Sequence, residues 1–513
     1  MIPGSLNAGR RARELDQLAA GERVDLAVVG GGVTGAGIAL DAVARGLSVA
    51  LIEAHDLAFG TSRWSSKMVH GGLRYLAKGD VALAHESAVE RGILMTRTAP
   101  HLTRAAPQLI PLYPETSRPR QAFVAAGLYA GDALRRAAGT PSHVLPRPRT
   151  IPAAEALALA PGLRRAGLRG ALLSFDGALT DDARLVVALA RTAAARGARI
   201  LTRLAATEVH ADRVRVHDEL TGRSADILAR RVINATGVWA GELVPSVRLR
   251  PSRGSHLVLS AETTGLAGSS VMVPVPGESN RFVLLLPQPD GRVYLGLTDE
   301  PAGGEIPDVP AVSQSDVDFL LPVASSALAR PLTERDVLGS FAGLRPLIDS
   351  GADEASADLS RKHAVLTAAN GVITVVGGKL TTYRRMAADA VDAAGLAAGP
   401  STTDRLPLLG AAPRSRLAAI DAPARLVAKY GTEAPRVAAA GELDPALAEP
   451  LFPGCEITAA EVVWAVRHEG ALDAADVLTR RTRLALVPAD AAAAEPRVRD
   501  LVDRALQGVA VSP

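Results

Sequence analysis

The sequence predicts an α/β chain: a discontinuous Rossmann-like domain, an inserted β-rich domain and a C-terminal helical domain. Three observations carry this. Val24–Val29 is a short β-branched apolar run that breaks into three glycines and then into apolar residues at helical spacing. A second strand–glycine–helix junction, VITVVGGKLTTYRRMAADAV, follows much later in the chain. Between the two, from Arg253 to Asp299, short strand patterns are punctuated by Gly, Pro and Asn.

The elements follow in order. The opening stretch MIPGSLNAGRRARELDQLAAGE has no apolar signal-peptide centre and contains acids, so it reads as a loose tail or short helix at residues 1–22. Its arginines read as a solvated face rather than as lipid contacts. The strand at Val24, the helix GAGIALDAVARG capped at Gly46 and the strand LSVALIE form a βαβ unit of about 30 residues, the size of a dinucleotide site. Residues 101–169 are rich in Pro and Arg, with helical patches. DDARLVVALARTAAARGARILTR is a helix and strand, and RRVINATGVWAG is a strand ending in a small-residue turn. The Rossmann-like domain is thus expected from residues 23–100, 170–245 and 340–400, and the cap from 101–169 and 246–339. Residues 401–513 are Ala-, Arg- and Glu-rich with helical periodicity.

Composition narrows the function classes. The chain has 513 residues, 48% of them hydrophobic, enough for two to four domains. Its single cysteine, Cys455, excludes a disulfide framework and a CxxC redox pair, and suits a reducing cytoplasm. Cys455 reads as a small apolar filler. A net charge of +3 gives no case for nucleic acid. No apolar run reaches the roughly 18 residues of a membrane span, and no His/Asp/Glu set has metal-ligand spacing.

Gly30, Gly32 and Gly35 form GxGxxG. The first allows a tight turn, the second a close approach of backbone to pyrophosphate, and the third close helix–strand packing. The helix that follows offers free N–H groups and a positive dipole to phosphates. Glu53, at the end of the second strand, stands where a carboxylate meets a ribose diol. A glycine turn without ligand is the bland alternative. The motif does not separate NAD from FAD, but the next segment does. In GTSRWSSKMVHGG the hydroxyls of Thr61, Ser62, Ser65 and Ser66 suit an FAD that is followed from pyrophosphate to flavin, against the alternative of a serine-rich surface loop.

The segments GGGVTGAGIALDAVARGLSVALIE, GTSRWSSKMVHGGLRYL, INATGVWAG, SRGSHLVL, LGLTDE, FAGLRPLID and VVGGKLTTYRRMA together resemble the FAD-dependent glycerol-3-phosphate dehydrogenases, within the D-amino-acid-oxidase-like flavoproteins. The likeness continues weakly through RHEGALDAADVLTRRTRL. It implies oxidation of sn-glycerol 3-phosphate to dihydroxyacetone phosphate, with FAD taking the hydride and a membrane quinone taking the electrons. It also implies a cytoplasmic protein held peripherally on the inner face of the membrane, often as a homodimer. Cofactor contacts carried over are Gly30, Gly31, Gly32, Val33, Thr34 and Gly35, then Glu53, then Thr61, Ser62, Ser65, Ser66, Lys67, His70, Gly71, Gly72 and Leu73. Ala235, Thr236 and Gly237 are placed by adenine and pyrophosphate, and Gly378, Lys379, Leu380 and Thr381 by the flavin.

The implied substrate is a small dianion with a secondary alcohol. Its phosphate calls for arginine forks, and its hydroxyl for a base. The resemblance places Arg74, Tyr75 and Arg345 in the pocket, although a surface ion pair with a core tyrosine would explain the first two and a structural ion pair the third. His256 is the leading base or hydroxyl-orienting group, with Arg345 as a competitor. Lys379 adds charge at a helix tip whose dipole would stabilise a reduced flavin, and Thr382 joins it as a helix cap or pocket hydroxyl. Asp181 and Asp182 read as helix caps. Three rivals stand beside this reading: an oxidase using O₂, whose relatives carry a long insertion not seen here, an NAD-linked alcohol dehydrogenase, and a non-catalytic flavin-binding protein.

Overall fold

The chain folds as two sheets and a helical domain in a computed structural model that describes residues 2–72, 75–76, 79–278, 281–349 and 362–510. The first sheet runs, strand by strand, Ala364–Thr367, Ile373–Val376, Ser224–Asn234, Val24–Val29, Val49–Ile52 and Arg199–Leu201. All neighbours are parallel except the outermost pair, Ala364–Thr367 with Ile373–Val376. A hairpin, Leu204–Val209 and Arg213–Asp218, extends it by pairing with Ser224–Asn234.

Parallel strands bury both faces, which is why Val24–Val29, Val49–Ile52 and Ile373–Val376 are apolar almost throughout, whereas the longer Ser224–Asn234 carries exposed Asp226, Arg230 and Arg231 before its buried end. On one face α2 (Val33–Ala44) packs between the helices Asp182–Ala194 and Tyr383–Ala393, around Leu26, Val28, Leu51 and Ile233. On the other, Leu18 of α1 (Ala8–Ala19) joins Ala27, Ile52, Val214 and Val232. The opening segment is therefore a docked helix. Arg11 is buried, donating to Thr202 O at 2.6 Å and pairing with Asp218, so it does not sit on the expected solvated face.

The second sheet is largely antiparallel, in the order Glu300–Pro301, Ser252–Ser260, Arg292–Gly296, Phe282–Pro287, Ser270–Pro274, Thr103–Pro111, Gly170–Leu179 and Met68–Val69. Gly339–Arg345 pairs with Ser252–Ser260, and Arg149–Pro152 with Gly170–Leu179. Three strands thus depart from the expected division. Met68–Val69, Gly170–Leu179 and Gly339–Arg345 fall wholly or almost wholly in the pieces expected for the nucleotide-binding domain, yet all three hydrogen-bond into the cap sheet. Their sequences are apolar enough for either sheet, and only long-range pairing assigns them. Two helices lie near this sheet: α3 (Val81–Ile93), and α4 (Arg118–Ala137), which packs on α3.

After residue 400 the chain is helical. Ala459–His468 and Pro488–Ala510 share a core of Val462, Val466, Val498 and Val502. Half-buried Cys455 packs at its edge. This domain grips the rest through buried charge: the Arg481 guanidinium donates to both oxygens of Asp56 at 2.8 and 2.9 Å, and Arg480 adds a third bond at 2.6 Å.

Candidate active site

The site grows from the two glycine junctions, which lie side by side because Val24–Val29 and Ile373–Val376 both flank Ser224–Asn234. Gly30 turns with φ +112, and a Cβ there would lie 2.5 Å from Ala235 O. A Cβ on Gly35 would collide with Gly30 O, so only glycine lets α2 start this close to the strand. Gly32 caps α2 without a side-chain bond, while Val33 N–H donates to Ser62 Oγ at 2.9 Å. Gly31 N–H donates to Glu53 Oε2 at 2.5 Å, and His55 N–H to Oε1 at 2.8 Å. Burial pushes the Glu53 carboxyl above its ordinary value although these donors pull the other way. Thr34 borders the same turn, half-buried. Ala235 N–H donates to Val29 O at 2.8 Å, and Thr236 Oγ1 to Asn234 Oδ1 at 2.7 Å, leading into Gly237 at φ +63.

The serine segment divides its hydroxyls. Ser62 faces the helix tip, as above. Thr61 Oγ1 donates to Leu344 O at 2.6 Å and so tethers the cofactor loop to the strand of Arg345. Ser65 Oγ and Lys67 Nζ both donate to Asp182, at 2.7 and 2.8 Å. Burial brings Lys67 down to about 8, with Asp182 opposing the fall. Burial would raise Asp182, but Lys67 and Arg483 outweigh it and hold it below its ordinary value. Asp181 is the helix cap, accepting from Arg184 N–H at 2.7 Å. Asp182, read from sequence as a second cap, is instead the buried anchor of the cofactor loop.

Ser66 Oγ lies 2.9 Å from His256 Nε2. The ring of His256 stacks on Phe341, centroids 4.6 Å apart and planes at 9°, because the two residues face each other in register. Its Nδ1 is buried and unpartnered. Desolvation, then the charges of Lys67 and Arg345, lower its pKa to about 3, so the imidazole is neutral. Arg345 is half-buried on the adjacent strand. It donates to Asp299 Oδ1 at 3.0 Å, Ser252 Oγ at 3.1 Å and Thr298 O at 3.2 Å.

The third wall is built on residues 70–72 and Tyr75. Gly71 N–H donates to Asp176, which also holds Arg91 of α3 at 2.7 Å. A Cβ on Gly71 would strike the Arg91 guanidinium, and one on Gly72 would lie 2.9 Å from Tyr75 Cδ2. Lys379 Nζ sits 3.7 Å above the buried Tyr75 ring and donates to Ser87 Oγ of α3 at 2.7 Å. Gly378, at φ +71, delivers Lys379 from the second junction, and half-buried Leu380 follows. Thr381 and Thr382 are buried, and Thr382 Oγ1 donates to Lys379 O at 3.3 Å. The Leu380–Thr382 turn lies against Met68–Val69, which closes the ring between the two halves. Leu73 and Arg74 lie outside the described residues. Sequence reasoning missed Asp176, Arg91 and Ser87, whose partners are distant in the chain.

The matching family model is that of FAD dependent oxidoreductases, over residues 25–384. A second model, the C-terminal domain of alpha-glycerophosphate oxidase, matches residues 401–508. The chain is 54% identical over 499 residues to "Glycerol-3-phosphate dehydrogenase 1" of Mycobacterium tuberculosis, covering 95% of this chain and 96% of that protein.

This chain belongs to the FAD-dependent glycerol-3-phosphate dehydrogenase family.

The family extends to the Mycobacterium leprae "Glycerol-3-phosphate dehydrogenase", 38% identical over 494 residues, 91% of this chain and 82% of that protein. Among solved structures, the Bacillus halodurans glycerol-3-phosphate dehydrogenase complexed with FAD superposes with a TM-score of 0.71 at 26% identity, covering 98% of each chain. FAD is the cofactor of the family, and the dehydrogenase cradle here fits it. The close approaches at Gly30 and Gly35, and the helix tip whose N-cap, Gly32, carries no side chain, leave room for the backbone to meet an extended dinucleotide.

Proposed function

We propose that this chain oxidises sn-glycerol 3-phosphate to dihydroxyacetone phosphate at FAD and passes the electrons to a membrane quinone, as a peripheral protein of the membrane's inner face. The observation that supports it most is the Lys379–Tyr75–Ser87 contact at the second glycine junction, which sets a fixed cation beside the backbone turn at Gly72. Two elements of the proposal go beyond the family: the roles of individual pocket residues and the identity of the acceptor.

When bound, FAD accepts the hydride that leaves C2 of the alcohol. The chain's own groups do the rest. Gly31, Gly32 and Ser62 would hold the pyrophosphate, and Glu53 the ribose. The positive end of the Leu380–Ala393 helical run would favour negative charge gained on a flavin bound beside it. Arg345 presents a guanidinium fork, and with Lys379 it offsets the substrate's two phosphate charges. The hydroxyl proton goes to His256. Its neutral ring has a lone pair to accept it, and the dianionic substrate raises its proton affinity at the moment of need. Asp182 holds Lys67 and Ser65 and so anchors the cofactor loop.

The test is anaerobic. Glycerol 3-phosphate should bleach the flavin absorbance of the purified protein, while glycerol and D-amino acids leave it unchanged. Bleaching by a D-amino acid instead would overturn the substrate reading. The oxidase-type C-terminal model favours a second reading, with O₂ as acceptor. Hydrogen peroxide formed in step with substrate loss, and indifferent to added quinone, would establish it.

A further inference from the structure

The imidazole of His256 ends a column of rings. It stacks on Phe341, and Phe341 stacks in turn on Trp64, centroids 5.9 Å apart and planes at 24°. Trp64 belongs to the cofactor loop and sits tight on the strand of Phe341, where a Cβ on Gly343 would lie 2.6 Å from Trp64 Cβ. Two guanidiniums close the far end: Arg63 lies 4.4 Å from the centroid of the Trp64 ring and Arg483 5.6 Å. The Nε and Nη2 of Arg63 meet no acceptor, so no polar group directs them.

Arg483 is held differently. It comes from the C-terminal domain, donates from Nη1 to Thr479 O of that domain at 2.8 Å, and donates from Nη2 to Arg63 O of the cofactor loop. Its Nε lies 3.0 Å from Asp181 Oδ2, and its Nη2 3.8 Å from Asp182 Oδ1. It reaches these partners from a left-handed backbone, φ +66, which a side-chain-bearing residue enters at a cost. Just beyond it, Leu486 and Val487 pack with Phe341 and Tyr294, and Leu486 O would meet a Cβ on Gly339 at 2.0 Å. Residues 483–487 therefore press on both supports of His256: the loop that carries Ser66, and the ring of Phe341.

We infer that Arg483 of the C-terminal domain is a positioning residue for flavin reduction, fixing the plane of the His256 ring through Trp64, Phe341 and the cofactor loop. The inference rests on the reading of His256 above as the group that takes the hydroxyl proton. An imidazole accepts a proton along an in-plane lone pair, so a tilted ring is off line. Stacking resists tilt, and the bond to Ser66 resists turning within the plane. A stack of neutral rings is soft, and a cation anchored over its outer ring stiffens it.

The experiment is anaerobic stopped-flow reduction of the holoenzyme's flavin by glycerol 3-phosphate. R483M should lower the limiting rate about tenfold to a hundredfold, as a small misplacement does, while half-saturation stays within about twofold of the wild type. FAD per chain should be unchanged. R483K should recover part of the rate, since it keeps the charge and loses the fork. W64L breaks the column one ring further in and should match R483M, and it carries the test if R483M does not fold. Apart from turnover, His256 in R483M should react severalfold faster with diethylpyrocarbonate, read by peptide mass spectrometry, while exposed His210 reacts as in the wild type. A wild-type reduction rate in R483M overturns the inference. So does a slow R483M with lowered Tm and FAD content but unchanged His256 reactivity, which would make Arg483 a structural latch. H256N separates the inference from the reading beneath it. A fast H256N overturns the proton reading and leaves the column nothing to position. In a slow H256N, adding R483M should slow reduction no further, and a full second loss overturns the inference alone.

Discussion

Lys379 Nζ stands 3.7 Å above the ring of Tyr75 and donates to Ser87 Oγ at 2.7 Å, joining the second glycine junction to the segment after Gly72 and to α3. Three pieces of chain thus meet at one cation. Lys379→Ala should raise KM for glycerol 3-phosphate by roughly tenfold to a hundredfold, the range of a desolvated cation contact. Lys379→Arg should restore part of it. Steady-state kinetics with a dye acceptor checks this, and an unchanged KM in Lys379→Ala would place the phosphate elsewhere.

Arg345 is the fork of the site, held by Asp299, Ser252 and Thr298. Arg345→Lys keeps the charge but loses bidentate geometry. We expect kcat/KM to fall by about 2 to 4 kcal/mol in transition-state terms, roughly thirtyfold to a thousandfold. FAD content should stay at the wild-type level, since Arg345 lies on the cap sheet.

Gly35→Ala should give a protein without FAD. The added methyl collides with Gly30 O, so α2 must back away from the pyrophosphate path. The absorbance ratio of flavin to protein after purification measures the loss. A yellow Gly35→Ala protein would refute the geometry.

Acid should unfold this protein by way of its buried imidazoles. Burial brings His101 and His256 down to about 3, and His468 to about 4. Their unfolded value is about 6.5. Between about 6.5 and 4 the unfolded chain therefore binds more protons than the folded one, and stability falls as pH falls. Each such group contributes a slope of up to about 1.4 kcal/mol per pH unit, less for partly exposed His468. His101→Asn should flatten the dependence of Tm on pH across that window by about one proton. The measurement is thermal unfolding from pH 7 to pH 4.5.

Asp56 and Arg481 lie buried together, with Arg480 alongside. Arg481→Met removes two of the three guanidinium bonds to Asp56 and leaves Arg480 as its partner, which should cost about 1.5 to 3 kcal/mol. Arg480→Met added to the same chain would leave the carboxylate without either guanidinium and should cost more than the single change. Because Asp56 follows Glu53 by three residues, FAD affinity should weaken together with stability, and flavin fluorescence released on dilution reports it.

The βαβ unit, the GxGxxG turn, the acid at Glu53 and the strand-rich insert are legible in the sequence because each depends on neighbours within a few dozen residues. Periodicity, turn chemistry and helix caps act over that range, so local order reveals them. The tertiary structure decided what distant partners do. Asp182 has the residue type and position of a helix cap, yet it anchors Ser65 and Lys67 from 117 and 115 residues away. Ser87 meets Lys379 across 292 residues. Met68–Val69, Gly170–Leu179 and Gly339–Arg345 joined the cap sheet rather than the nucleotide-binding one, since their partners, Gly170–Leu179, Thr103–Pro111 and Ser252–Ser260, are strands remote in the sequence. The sequence determined the cofactor grip and the kind of chemistry. Which side chains remain open to substrate, and which are consumed in holding the loop still, was decided by long-range hydrogen bonds, whose partners no local pattern specifies.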